Sequence, residues 1–228
     1  MAVTFYYAPY STAESTKAIL AELEHGLPNP LATRIELSIS AGDTRKPAYL
    51  SDVNPNGRVP AIVHDGVPIW ESAAITMYLG ETFGVRAGND PHQSSLYPEP
   101  GPRRGEAMKW IVWTNTTLTV AGARLAAALP VGTPGAVEKG SQDEVSKDET
   151  ARKNEEEIAR GDLAKNLKVL DEALKERNYL LGDQYCLADT HVWTFVSWLS
   201  VMGVSTEEYL HLTEWLARVG ARPALKDQ

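Results

Sequence analysis

The sequence predicts a mixed class: a small α/β unit of order βαβαββα, followed by an all-α unit. Three observations carry this. Short β-branched and aromatic runs alternate with helical patterns from Val3 to Phe83. A stretch crowded with Gly, Pro, Asn and Asp then runs from Gly84 to Gly105. Beyond it the apolar residues recur only at helical spacing. The expected division is residues 1–84, a linker over 85–105, and a helical domain over 106–228.

Each element has a local reason. Val3 to Tyr7 is a β-branched and aromatic run closed by Pro9, which cannot donate to a ladder. Ala18, Ile19, Leu20 and Leu23 share a helix face within Ser15–Leu23, and His25-Gly26-Leu27-Pro28 stops that helix. Arg34 to Ile39 alternates strictly, the mark of a strand with one buried face. A short helical piece spans Ala48 to Asp52. Ala61–His64 and Val67–Trp70 are strands joined by Asp65-Gly66, a strong two-residue hairpin signal. Glu71 to Phe83 is helical, and Gly84 ends it.

In the second unit, Met108 to Leu129 reads as one long helix ended by Pro130, with a turn-rich loop over Val131–Gly140. Glu138 to Arg177 is densely charged, yet Leu163, Leu167, Leu170 and Leu174 form one apolar stripe, so the charges mark a solvated helix face. Asp189 to Met202 is apolar on nearly all faces and should be the central helix. Thr206 to Arg218 closes the chain as an amphipathic helix.

Composition narrows the function. The chain has 228 residues, 22 basic and 30 acidic side chains, and a net charge of −8. That balance argues against nucleic-acid binding, which needs clustered positive charge. The single cysteine, Cys186, cannot form an internal disulfide or a paired-cysteine zinc site, and no metal is expected. The first residues carry no basic segment followed by an apolar one, so no signal peptide is expected and the expected location is cytoplasmic. The most apolar stretch, Val192 to Met202, is about half the ~20 residues a spanning helix needs, so no membrane partner is expected.

Two motifs point to a family. Asn54-Pro55-Asn56-Gly57-Arg58-Val59-Pro60-Ala61 is followed, across the hairpin, by Trp70-Glu71-Ser72-Ala73-Ala74-Ile75. With the element order above, this resembles the glutathione transferase superfamily along nearly the whole chain, in its serine-type, delta- or theta-like or bacterial and fungal classes. The resemblance implies a thioredoxin-like domain that binds glutathione and a helical domain that holds an electrophile. It also implies that the Val59–Pro60 bond is cis, a geometry an X–Pro bond adopts at a cost of only ~0.5–1 kcal/mol. The backbone of Val59 then pairs with the cysteinyl part of glutathione, and Arg58 lies beside it. Glu71 and Ser72 suit a helix start, and capping alone would select them. The resemblance adds a ligand: Ser72 and the free N–H groups of the helix hold the γ-glutamyl carboxylate, and Glu71 pairs with the ammonium. Where many family members carry a basic residue next, this chain has Ala73.

Glutathione's thiol resembles free cysteine, with a pKa of ~8.5, so a transferase must supply a donor that stabilises the thiolate. In the family that donor lies where this chain reads Tyr6-Tyr7-Ala8-Pro9-Tyr10-Ser11-Thr12. Against the serine-type pattern Tyr-Tyr-x-Pro-Gly-Ser, Ser11 falls on the catalytic serine, with Tyr10 in place of glycine. Thr12, and the strand tyrosines Tyr6 and Tyr7, remain alternatives, as do Tyr10 and the absence of any hydroxyl donor. No cysteine lies near the first strand, so exchange through a protein mixed disulfide has no nucleophile. Cys186-Leu187-Ala188-Asp189 instead matches the family's helix-capping box, with a thiol in the hydroxyl position and therefore a weakened cap.

The leading expectation is an enzyme that adds glutathione, its co-substrate, to a small apolar or aromatic electrophile. The pocket should lie between the loop after the first strand and the Met108–Leu129 helix, with Trp110, Trp113 and Arg124 as candidate lining. Glutathione-dependent ether cleavage or isomerisation, or a non-catalytic binding module of the same fold, are the competing readings. The resemblance also implies a homodimer.

Overall fold

The computed structural model describes residues 3–85, 95–130, 132–135 and 149–226. The first half forms β1 (Val3–Tyr7), α1 (Ala13–Glu24), β2 (Ala32–Glu36), α2 (Pro47–Asp52), β3 (Ala61–His64), β4 (Val67–Trp70) and α3 (Ser72–Leu79). The second half is helical: α4 (Pro102–Trp113), α5 (Thr119–Ala128), α6 (Glu149–Leu174), α7 (Leu187–Leu199) and α8 (Leu210–Gly220). The expected class is therefore observed. It is a thioredoxin-like sheet of order β2-β1-β3-β4, parallel between β1 and β2 and antiparallel elsewhere, followed by helices.

Three departures have identifiable causes. Strand β2 lies at 32–36 rather than 34–39, because β1 offers only five residues to pair with and its register ends at Tyr7 opposite Glu36. As an edge strand it buries only Ala32, so the alternation of Ile35 and its neighbours does not mark a covered face. Helix α4 begins at Pro102, inside the stretch expected to be linker. Proline serves there in the first turn, where no N–H bond is required. The long helix is also interrupted by a π-helical turn at Thr114–Leu118. Thr114 and Thr116 donate back to the carbonyls of Trp110 and Val112, each at 2.9 Å, and this competition with the backbone accompanies the widened turn. The part of the charged run over 138–148 lies outside the described residues; the leucine stripe of α6 is buried as expected.

The two halves share one apolar core. Phe5, Ile19, Ile75 and Leu79 from the first half join Ile111, Leu118, Leu163, Val192 and Trp215 from the second. Helix α1 packs on α7, and α3 on α4. Tyr97 lies flat over Gly80, where an added Cβ would come within 2.7 Å of its ring. A part-buried ion pair joins the last residues to α1: Arg222 meets both carboxylate oxygens of buried Glu22 at 2.6 and 2.7 Å and stacks 3.4 Å from the Tyr185 ring centroid.

Helix α7 starts at a capping box in which Cys186 takes the hydroxyl's place. Asp189 carries most of the load. Its carboxylate accepts from the Cys186 N–H at 3.0 Å, the Leu180 N–H at 2.8 Å and the Trp215 indole N–H at 2.9 Å. Asp189→Ala would leave three buried donors unpartnered, each costing ~1–3 kcal/mol, so it should destabilise the fold by about 3 kcal/mol or more in chemical denaturation. Cys186→Ser should be mild or stabilising by comparison, since a hydroxyl is the better cap.

Candidate active site

Strand register gathers the motifs at one end of the sheet. Ala61 pairs with both Tyr6 and Trp70. The loop after β1, the Val59–Pro60 approach to β3 and the Glu71-Ser72 exit from β4 therefore converge.

The Val59–Pro60 bond is cis. The preceding loop is built to present it. Asn54 accepts from the Asn56 N–H through Oδ1 at 3.0 Å and donates to the Arg58 carbonyl through Nδ2 at 2.8 Å. The Tyr49 hydroxyl donates to the same carbonyl at 2.7 Å. Gly57 has φ +62° and lies where a Cβ would meet Arg45 and the Thr44 carbonyl, so both conformation and space select glycine. The Arg58 side chain itself is exposed.

Glu71 sits at the β4–α3 junction with φ 73° and ψ 118°, a strained conformation for a residue with a side chain. Glu71 is exposed there, and α3 begins at the next residue. Ser72 is buried, and its Oγ accepts from Asn115 Nδ2 at 2.8 Å. Asn115 Oδ1 lies 2.8 Å from His191 Nε2, and His191 Nδ1 lies 2.9 Å from the Thr76 hydroxyl. Neither Asn115 nor His191 stood out in the sequence: both are polar residues in helical segments, far apart along the chain. The π turn and the buried face of α7 bring them together.

In the loop after β1, Tyr10 adopts φ 58°, the left-handed conformation that glycine favours, and its side chain is 93% exposed. The substitution of tyrosine for glycine thus keeps the turn and adds an exposed ring. Ser11 Oγ donates to the Ala8 carbonyl at 2.7 Å and accepts from the Ala13 N–H at 3.2 Å at the start of α1. Thr12 Oγ1 donates to the Val59 carbonyl at 3.2 Å, joining this loop to the cis-proline segment. Tyr7 donates to Glu36 at 2.9 Å, and that bond is the main reason its pKa is raised. Tyr6 turns to the opposite side and packs edge-on against Tyr49.

A cavity of about 280 Å³ opens beside this loop. Tyr10, Ser11, Thr12 and Glu14 form one wall, Leu118, Thr119, Gly122 and Ala126 a second, and Thr194, Phe195, Trp198 and Leu199 a third. Its place between the loop and the long helix matches the sequence expectation. The expected lining does not. Trp110 is buried and packs edge-on against Trp113, with centroids 5.5 Å apart, on another face of the helix. Arg124 points to α6, where it pairs with Asp162 at 3.0 Å and Glu155 at 3.4 Å. The wall from α7 went unseen because a helix apolar on all sides does not reveal which residues border a void.

A thioredoxin-like sheet whose cis-proline, helix start and hydroxyl-bearing loop converge beside an apolar cavity defines a class, and comparison with known proteins gives its family. The model "Glutathione S-transferase, N-terminal domain" matches residues 15–82, and "Glutathione S-transferase, C-terminal domain" matches residues 128–223. The chain belongs to the glutathione transferase superfamily. It is 28% identical over 198 residues to the glutathione S-transferase of Hyoscyamus muticus, covering 83% of this chain and 82% of that one. It is 24% identical over 204 residues to the disulfide-bond oxidoreductase YghU of Escherichia coli, covering 83% of this chain but only 60% of the relative. A glutathione transferase homologue from Sulfitobacter, solved with bound glutathione, superposes with a TM-score of 0.72 at 20% identity, over 99% of this chain and 95% of the other.

Burial pushes the His191 pKa down from 6.5 to about 3, so the folded protein holds this imidazole neutral. The unfolded chain protonates it below about pH 6.5 and thus binds more protons than the folded one between there and about 3. The contribution is fully present above that window and is lost as pH falls through it. The unfolding free energy should therefore drop faster with acidification in the wild type than in His191→Gln, by somewhat over ~1 kcal/mol per pH unit. Equal slopes for the two proteins would show that the folded state accepts the proton.

Proposed function

We propose that this protein is a glutathione transferase which activates the thiol of glutathione as its thiolate and adds it to a small apolar or aromatic electrophile. One observation carries the reading: the apolar cavity is lined by Ser11 and Thr12, in a loop tied through Thr12 to the Val59 backbone. The Val59 backbone pairs with the cysteinyl residue, Ser72 and the start of α3 hold the γ-glutamyl carboxylate, and Glu71 pairs with the ammonium. Pro60 and Arg58 complete the binding segment, Pro60 by fixing the turn. Ser11 donates to the thiolate by turning its proton from the Ala8 carbonyl. Tyr7 is less suited, because its hydroxyl is committed to Glu36.

The chain's own thiol takes no part in this chemistry. Cys186 is buried at the helix cap, and burial pushes its pKa far up, so it supplies no nucleophile for a protein mixed disulfide. We also infer a homodimer, which sedimentation at micromolar concentration tests: a particle of monomer mass would count against it.

Ser11→Ala should raise the pKa of the bound thiol by roughly one to two units, the equivalent of a ~1.5–3 kcal/mol hydrogen bond to a charged group. The rate of conjugation to an aryl halide near neutral pH should fall about 10- to 100-fold, with a much smaller change in glutathione affinity. The ultraviolet absorbance of the thiolate, titrated against pH in both proteins, measures the shift. An unshifted curve in Ser11→Ala alongside a shifted one in Tyr7→Phe would move the role to the strand.

A further inference from the structure

We infer that Asn115 and His191 are positioning residues for the ligand carboxylate, acting through Ser72 by a chain of hydrogen bonds that all point one way. This rests on the reading of Ser72 as the carboxylate site.

The direction follows from one buried proton. Thr76 is fully buried on α3, and His191 Nδ1 is the hydrogen-bond partner of its hydroxyl. A buried hydroxyl without an acceptor is costly, so Thr76 donates to Nδ1. The neutral imidazole then carries its hydrogen on Nε2 and donates it to Asn115 Oδ1 at 2.8 Å. With its oxygen so used, the Asn115 amide presents Nδ2 to Ser72 Oγ and donates at 2.8 Å. Ser72 therefore accepts from behind, and its own proton is left to donate outward. Each link sends a donor towards the place where the carboxylate sits, and each polarises the next.

The arrangement fits a particular gap in this chain. The residue after Glu71-Ser72 is Ala73, so no cation follows the pair in sequence. A row of oriented neutral dipoles, fixed in advance by packing, supplies donor character without burying a charge. His191 works here because it is neutral; it sets a direction.

Asn115→Asp tests this. The replacement is nearly isosteric and still accepts from His191, but it offers Ser72 an acceptor in place of a donor. The Ser72 proton would then turn inward. Calorimetric titration with glutathione should show affinity about 10- to 100-fold weaker than wild type. The same change made in a Ser72→Ala background should cost much less, because the chain no longer has its last link. Simple repulsion between the new carboxylate and the ligand predicts the same loss in both backgrounds, and that result would overturn the proposal. So would undiminished affinity in Asn115→Asp. γ-Aminobutyryl-cysteinyl-glycine, which keeps the amine and lacks the α-carboxylate, should bind Asn115→Asp at least as well as wild type; an equal loss for both ligands would count against it.

A second measurement needs no variant. Side-chain ¹⁵N spectra of the wild-type protein should show His191 as the Nε2–H tautomer, while the Nδ1–H tautomer would reverse the chain and refute the assignment. If the wild type fails to bind glutathione at all, the reading of the site itself falls, and the relay with it. If it binds normally and only the cycle comes out additive, the relay alone falls.

Discussion

The carboxylate of Asp189 is the constraint on which the second half of the molecule, and with it the site, depends. One oxygen draws in the Leu180 N–H and the Trp215 indole, and the other closes the first turn of α7 on the Cys186 N–H. One side chain thus fixes the start of α7, its distance from α8 and the turn before it. Burial raises the pKa of this group, and the three N–H donors work against that rise. Because its cost of desolvation is offset by hydrogen bonds in three directions, the carboxylate specifies one arrangement of α7 and disfavours any other. Cysteine at the cap is tolerable only under that condition.

One face of α7 then serves the cleft. Within three turns it buries Asp189 among the anchoring donors, sends His191 to Asn115, and lays Thr194, Phe195, Trp198 and Leu199 along the cavity. The sheet gathers the first-half motifs at one end by register, with Ala61 opposite both Tyr6 and Trp70, and the loop after β1 supplies the facing wall. The site is a seam between two halves that share one core, so its geometry is as well determined as the packing of Ile75 and Leu79 against α4 and α7. The two strained residues bordering it, Tyr10 and Glu71, lie at the rim, where such conformations are held in place by rigid elements on both sides.

The sheet and the turns that gather the motifs at its end were legible in the sequence because they are local. Asp65-Gly66 determines a hairpin within two residues, and Asn54-Pro55-Asn56-Gly57 shapes its own loop through side-chain-to-backbone bonds. What stayed hidden depends on long-range packing or on competition inside a helix. The π turn at Thr114–Leu118 goes with threonine hydroxyls bonded back to the helix, which no periodicity registers. Trp110 and Trp113 precede this turn and face away from the cavity, whereas Leu118 and Gly122 border it; Arg124, two residues after Gly122, lies on the opposite side of α5. Pro102 looked like a breaker because proline ends helices more visibly than it begins them. The alternation in Arg34–Ile39 described a face that an edge strand leaves uncovered.

Ser11 and Ser72 turn out to be held by the same device. In each, the oxygen accepts a hydrogen bond from an N–H donor fixed by the fold, Ala13 for Ser11 and Asn115 for Ser72. Each hydroxyl is thereby fixed at its oxygen and free to redirect its proton. The Ser11 proton rests on the Ala8 carbonyl, a neutral acceptor that a thiolate out-competes, since hydrogen bonds to charged groups are the stronger ones. Tyr7 lacks this freedom: its proton rests on a carboxylate, so moving it to a thiolate exchanges one charged acceptor for another and gains little. On the proposed reading, the same geometry serves two anions at the two ends of one peptide. The helix starts of α1 and α3 add their dipoles to both. A chain with net charge −8 can in this way hold a thiolate and a carboxylate with hydroxyls, amides and a neutral imidazole.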